Sequence, residues 1–200
     1  MSIRFVSKAT VNNKLVKSSN VWDGTAVYNS FTLVGNYDAL GTVTVPSGGL
    51  SSITFAGIPQ TGYSHLQLRY TSLVSSASNH YFRFNGDSAN NYSWHEILGS
   101  GSAASSAAGS NASLLKAGYS ASSSASYSSA GVIDILDYKD LNKYKTARVL
   151  AGTDINGAGG FILFRSGNWR STSAINQITM YLDGGSNWAQ YSQFALYGVK

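Results

Sequence analysis

From Tyr37 to its end the chain is written in short runs whose apolar side chains alternate with polar ones, each stopping at a cluster of Gly, Asn, Ser or Pro. A period of two belongs to half-buried strands, because successive side chains on a pleated backbone point to opposite faces. Val43 and Val45 alternate with Thr42 and Thr44 before a turn at Pro46-Ser47-Gly48-Gly49, and Ile53 and Phe55 resume the pattern. From His65 to Tyr70, Leu66, Leu68 and Tyr70 share one face while Gln67 and Arg69 share the other. Phe82 and Phe84 stand in the same relation to Tyr81 and Arg83, and Asn85-Gly86-Asp87 ends that run with residues that tolerate positive φ. Val132 to Tyr138, Arg148 to Thr153, Phe161 to Arg165, Ile178 to Leu182 and Gln193 to Val199 continue the series. The last two read as a hairpin closed by Asp183-Gly184-Gly185-Ser186-Asn187. Roughly ten short strands, few helical windows and no βαβ rhythm predict an all-β protein, an antiparallel β-sandwich of jelly-roll type. No repeat of roughly 20 to 50 residues is evident, which argues against a propeller or solenoid.

A chain of 200 residues suits one ordinary domain, and an apolar share of 43% with only 12% charged residues excludes disorder driven by charge. The absence of cysteine removes disulfide frameworks, thiolate zinc sites and cysteine nucleophiles. No apolar stretch nears the roughly 20 residues that cross a bilayer, and no leader pattern follows Met1, so a soluble protein made in a cytoplasm and free of membrane is expected. The net charge of +5 is unevenly placed. Arg4, Lys8, Lys14 and Lys17 all precede the first acid, Asp23. Two β-like runs, Ile3 to Val11 and Ala26 to Val34, flank a polar stretch around Lys17-Ser18-Ser19-Asn20. Residues 1–36 therefore read as an extended, basic N-terminal arm that orders on a partner, and residues 37–200 as the sandwich body. Within the body, residues 99–131 hold 13 Ser, 9 Ala and 5 Gly, and read as a long surface excursion with one strand near Leu114 to Tyr119.

Signals for catalysis are absent. Glycoside hydrolysis wants two carboxylates about the scissile bond, yet Glu96 is the single glutamate, and Asp134, Asp137 and Asp140, three apart, do not converge on a strand. They read instead as edge or turn residues pairing with Lys139, Lys143, Lys145 or Arg148. His65, His80 and His95 sit fifteen apart, which matches no metal-ligand spacing. Neither a Gly-x-Ser-x-Gly elbow nor a phosphate loop is present, so no catalytic, cofactor or metal residue is assigned. Nucleic acid is not the expected partner, since only Lys139 to Arg148 with Tyr138 and Tyr144 clusters basic and aromatic residues. Carbohydrate binding is the stronger alternative. Trp94, Trp169 and Trp188 lie near turn-like sequence where an exposed ring could stack on a sugar, against the ordinary reading that aromatics fill the core.

Several stretches taken together carry a resemblance over Tyr37 to Lys200. They are Gly41-Thr42-Val43-Thr44-Val45, Ile58-Pro59-Gln60-Thr61, His65-Leu66-Gln67-Leu68-Arg69, Phe84-Asn85-Gly86-Asp87 and Asn91-Tyr92-Ser93. Ile133-Asp134-Ile135-Leu136-Asp137-Tyr138, Asn142-Lys143-Tyr144-Lys145-Thr146, Phe161-Ile162-Leu163-Phe164-Arg165-Ser166-Gly167 and Phe194-Ala195-Leu196-Tyr197-Gly198 complete them. In these stretches the chain resembles small structural proteins of tailed-phage virions. The resemblance implies a non-enzymatic virion component with a jelly-roll-like body and no cofactor. The most specific form of that expectation is a capsid decoration, or cement, protein that forms a homo-oligomer. Its arm would seat on the major capsid protein through Arg4, Lys8, Lys14 and Lys17. The alternative is an adhesion module of a tail or fibre that binds host-surface carbohydrate.

Overall fold

The alternation seen in the sequence becomes two stacked antiparallel sheets. The computed structural model describes residues 36–120, 126–157 and 159–200. The arm's Arg4, Lys8, Lys14 and Lys17 lie outside the described residues. The body runs through twelve strands: β1 Tyr37–Thr44, β2 Ser52–Ala56, β3 His65–Ser72, β4 Ser78–Phe84, β5 Tyr92–Gly99, β6 Ala104–Ala112, β7 Leu115–Ser120, β8 Ser129–Leu136, β9 Lys145–Asp154, β10 Gly160–Trp169, β11 Gln177–Leu182 and β12 Gln193–Val199. The large sheet has eight strands in the order β1-β12-β3-β8-β9-β10-β5-β6, and the small sheet four, in the order β2-β11-β4-β7.

Four antiparallel pairs define the winding: β1 with β12, β2 with β11, β3 with β8 and β4 with β7. Nested pairs of this kind are a long hairpin rolled over on itself, so β1-β12-β3-β8 and β2-β11-β4-β7 form a jelly roll. Two excursions widen it. The β5–β6 excursion leaves between β4 and β7, β9–β10 leaves between β8 and β11, and the two meet where β10 pairs with β5.

The core lies between the sheets. Leu66 and Leu68 of β3, Ile133 and Ile135 of β8, and Leu196 of β12 face Phe82 and Phe84 of β4, Ile178 and Met180 of β11, and Ile53 of β2; all are essentially inaccessible. Complete burial of such a side chain contributes about 1.5–3 kcal/mol, which is what holds the two layers in register. Within the large sheet the Tyr70 ring of β3 lies over its register partner on β8 and demands glycine at Gly131, where an added Cβ would sit 2.4 Å from the Tyr70 ring and hydroxyl.

Three expectations are corrected. β11 and β12 are not a hairpin: the turn at Asp183–Ser186 exists, with Ser186 N–H donating to Asp183 O at 3.2 Å, but the chain then crosses from one sheet to the other. Trp188 makes that crossing, bridging to both Leu50 and Val74. Residues 99–131 contain the expected strand near Leu114 to Tyr119 as β7, but more than that one strand, since they also supply β6 and the start of β8. Finally β5, which no alternation announced, is a full strand. Its inward face carries Glu96 and its outward face Ile97, the reverse of the usual polarity, so the period of two is scrambled.

Candidate functional site

The outward face of the large sheet is the surface on which the strands place unusual side chains. Cross-strand register sets Ile97 of β5 beside Phe164 of β10, Phe164 beside Leu150 of β9, Leu150 beside Val132 of β8, and Val132 beside Arg69 of β3. Ile97 is 60% exposed, Phe164 51% and Leu150 54%, and Ile162, two residues before Phe164, is 64% exposed. In the adjoining row Gly99, Ile162, Gly152 and Ala130 follow one another across the same strands, and the missing side chains leave a groove of about 830 Å³. Large apolar side chains that are contiguous and open to solvent mark an interaction surface, whereas scattered ones do not.

Beyond Arg69 the same face changes character. The Arg69 guanidinium lies 5.2 Å from the Tyr37 ring centre and 4.8 Å from that of Tyr197, a double cation–π contact. Gln67 Nε2 donates to Asp134 Oδ1 at 2.7 Å beside it. This end presents hydrogen-bonding groups and two aromatic rings, while the other end is apolar.

Under the apolar row, facing the small sheet, lies an ionic cluster. Arg165 Nε donates to Glu96 Oε2 at 2.7 Å, and Lys116 Nζ of β7 stands 3.4 Å from Glu96 Oε1. The Lys116 ammonium also sits 3.8 Å above the Trp94 ring. Gly109 of β6 is required at the ring, since a Cβ there would lie 2.6 Å from it. Arg165 is 3% exposed, so its charge depends on Glu96. These contacts fix β5, β6, β7 and β10 together and hold Ile97 and Phe164 outward.

The tryptophans expected to stack on sugar do not reach this face. Trp188 is fully buried between His80 and Phe194, and Trp169 is buried with its Nε1 donating to Asp87 Oδ2 at 2.6 Å. Trp94 is half-buried between Lys116 and Gly109. None of the three offers a free ring: Trp188 lies under the crossing between the sheets, and Trp94 of β5 and Trp169 of β10 point inward from interior strands of the large sheet. Tyr37, Tyr197 and Arg69 hold the surface position instead, and the alternation of β3 and β12, with Tyr197 and Arg69 off the apolar face, is the signal that marks them.

The titratable groups serve the fold. Asp134 accepts from Gln67, Lys143 Nζ bonds Asp137 Oδ2, and His65 Nδ1 accepts the Asp137 N–H at 2.9 Å. Among the described residues no group of three or more His, Cys, Asp or Glu side chains is arranged to hold a metal ion. His80 Nε2 stands 2.9 Å from Ser120 Oγ, the spacing of a base and nucleophile, but both are sealed in the core. Burial, with the Arg165 charge adding to it, pushes the His80 imidazole down from 6.5 to about 3.

That shift makes a testable statement about acid. The unfolded chain binds a proton below pH 6.5 that the folded chain refuses until about pH 3, so stability is full above 6.5 and is lost as pH falls between the two. The expected loss is about 1.4 kcal/mol per pH unit. Urea unfolding between pH 7 and 5 should show this slope in the natural protein and a flatter one in His80→Gln; equal slopes would contradict it.

Compared with protein-family models, curated proteins and solved structures, the chain matches none.

Proposed function

We propose that the protein is a non-enzymatic structural component of a tailed-phage particle, in its most specific form a capsid decoration protein. Its body would be seated against neighbouring virion proteins by the outward face of the large sheet. The observation that carries the reading is the contiguous row Ile97, Phe164, Leu150 and Val132, with Ile162 beside it, left open on the face of the large sheet that points away from the core. The resemblance to virion structural proteins and the jelly-roll winding support it. The basic residues Arg4, Lys8, Lys14 and Lys17 support a second point of attachment on an acidic capsid surface.

The test is binding of purified protein to particles that lack it. Phe164→Asp places a charge in the centre of the row without touching the core and should lower occupancy at least about tenfold while the thermal midpoint stays unchanged. A chain lacking residues 1–25 should remain folded and also fail to bind. Normal occupancy of both variants would overturn the proposal.

A second reading, a tail or fibre adhesion module for host-surface carbohydrate, is favoured by the Tyr37–Arg69–Tyr197 end of the same face. Sugar binding on a glycan array that is lost in Tyr197→Ala, with particle binding intact, would decide for it.

A further inference from the structure

Sheet edges are templates for pairing, and natural sheets blunt them with charge, bulges, proline or brevity. Three of the four edges here are blunted. β1 carries Asp38, ion-paired to Lys200 at 2.8 Å, and a bulge between Ala39 and Gly41. β2 is only five residues long. β7 carries Lys116 and a bulge in the partner register at His80 and Tyr81.

The fourth edge, β6, is different. It spans nine residues, Ala104–Ala112, and no charged residue or proline occurs between Glu96 and Lys116. Its bulge is confined to the C-terminal end, leaving Ala104 to Ala108 in regular register with β5. Nearly all its side chains are exposed on both faces, and among the described residues no strand lies beyond it.

The phase of the unused hydrogen bonds can be read from the turn. Ser100 N–H donates to Ala103 O at 2.9 Å, which makes Ser100 and Ala103 a hydrogen-bonded pair. Bonded pairs recur every second residue in an antiparallel ladder, so Ser105 and Ala107 bond to β5, while Ala104, Ser106 and Ala108 point their N–H and C=O groups away from it.

We propose that β6 pairs with β6 of a second copy of this chain, antiparallel and about a two-fold axis at Ser106. The outward groups then match: Ser106 bonds to its own mate, and Ala104 to Ala108 of the second copy, in both directions. A second copy is the occupant because the edge is self-complementary. It has no charge to repel its mate, and its Ala, Ser and Gly side chains cannot clash across the axis. The pairing also joins two larger features. Ile97 lies opposite Ser106, so the rows running Val132, Leu150, Phe164, Ile97 in the two copies become collinear across the axis, one apolar strip on one continuous sheet. The inference is independent of the particle reading, because it concerns the purified chain alone.

The experiment is sedimentation velocity of the full chain across a concentration series, with Ser106→Pro beside it. Proline is tolerated at an edge whose N–H faces solvent, so the monomer should keep its circular dichroism and thermal midpoint, while dimerisation weakens about tenfold or more. Because the protein has no cysteine, Ser106→Cys gives a clean second readout. Paired residues across the axis have Cα atoms about 5.5 Å apart, within disulfide reach. Mild oxidation should link Ser106→Cys into dimers much faster than Thr42→Cys on the opposite edge. A chain that stays monomeric, a dimer that Ser106→Pro leaves untouched, or equal cross-linking at the two positions would each overturn the pairing. Normal particle occupancy of Phe164→Asp and of the chain lacking residues 1–25, with the dimer intact, would count against the proposed function only.

Discussion

Replacing Glu96 with alanine should destabilise the protein by about 3–5 kcal/mol, a large share of the roughly 5–15 kcal/mol that holds a domain together. The reason is what the substitution leaves behind. Arg165 is 3% exposed, its Nη1 already lacks a partner, and its Nε–H to Glu96 Oε2 bond at 2.7 Å is its link to an acid. Lys116, 3.4 Å from the other carboxylate oxygen, would lose its ion-pair partner and keep only its contact with the Trp94 ring. The expectation is specific to removing one partner. Changing Glu96 and Arg165 together to methionine should recover most of the loss, because the cost of burying both charges disappears with them. Urea unfolding of Glu96→Ala measures the loss, and that of Glu96→Met, Arg165→Met and the two combined would show the recovery as strong non-additivity. Additive effects would mean that the cluster is solvated and does not anchor the widened sheet.

Trp188→Ala should cost a comparable amount, about 3–5 kcal/mol, through the cavity it opens. The indole is fully buried, with ring centres 4.8 Å from His80 and 4.9 Å from Phe194, and its backbone bridges Leu50 and Val74 at the crossing between the sheets. A thermal midpoint lower by about 10 °C is expected for a chain of this size. Trp188→Phe, which keeps a ring in place, should lose clearly less. A loss below about 1 kcal/mol in the alanine variant would show that the crossing collapses onto the gap.

Much of this architecture was legible in the sequence, and each failure has a physical reason. Where strands are covered on one face only, as in β3 with Leu66, Leu68 and Tyr70 inward, alternation revealed both the strand and its buried side. β5 broke the rule because Glu96 is inward to meet Arg165 and Ile97 is outward in the apolar row. β6 had no pattern to read, since an edge strand open on both faces has no inside. The turn after β11 was correctly placed, but a turn signal says that the chain reverses and not which sheet it rejoins. The tryptophans misled for a related reason. Neighbouring Gly and Asn residues suggested exposure, whereas Gly167 and Asn168 are paired residues of β10, and the turn before Trp188 leads into a crossing over the buried indole.

The nesting of the strand pairs sets the order in which the body becomes whole during synthesis. Among the described strands β1 leaves the ribosome first, yet its partner in the sheet is β12, the last of them to be made. β2 waits almost as long for β11. Of the four nested pairs, only β4 with β7 and β3 with β8 enclose shorter stretches of chain, so the middle of the sequence can close while β1 is still unpaired. A ribosome stalled before Gln193 would therefore hold a chain whose β1 and β3 both lack the neighbour between them. The sandwich body is completed as a fold only when β12 is released.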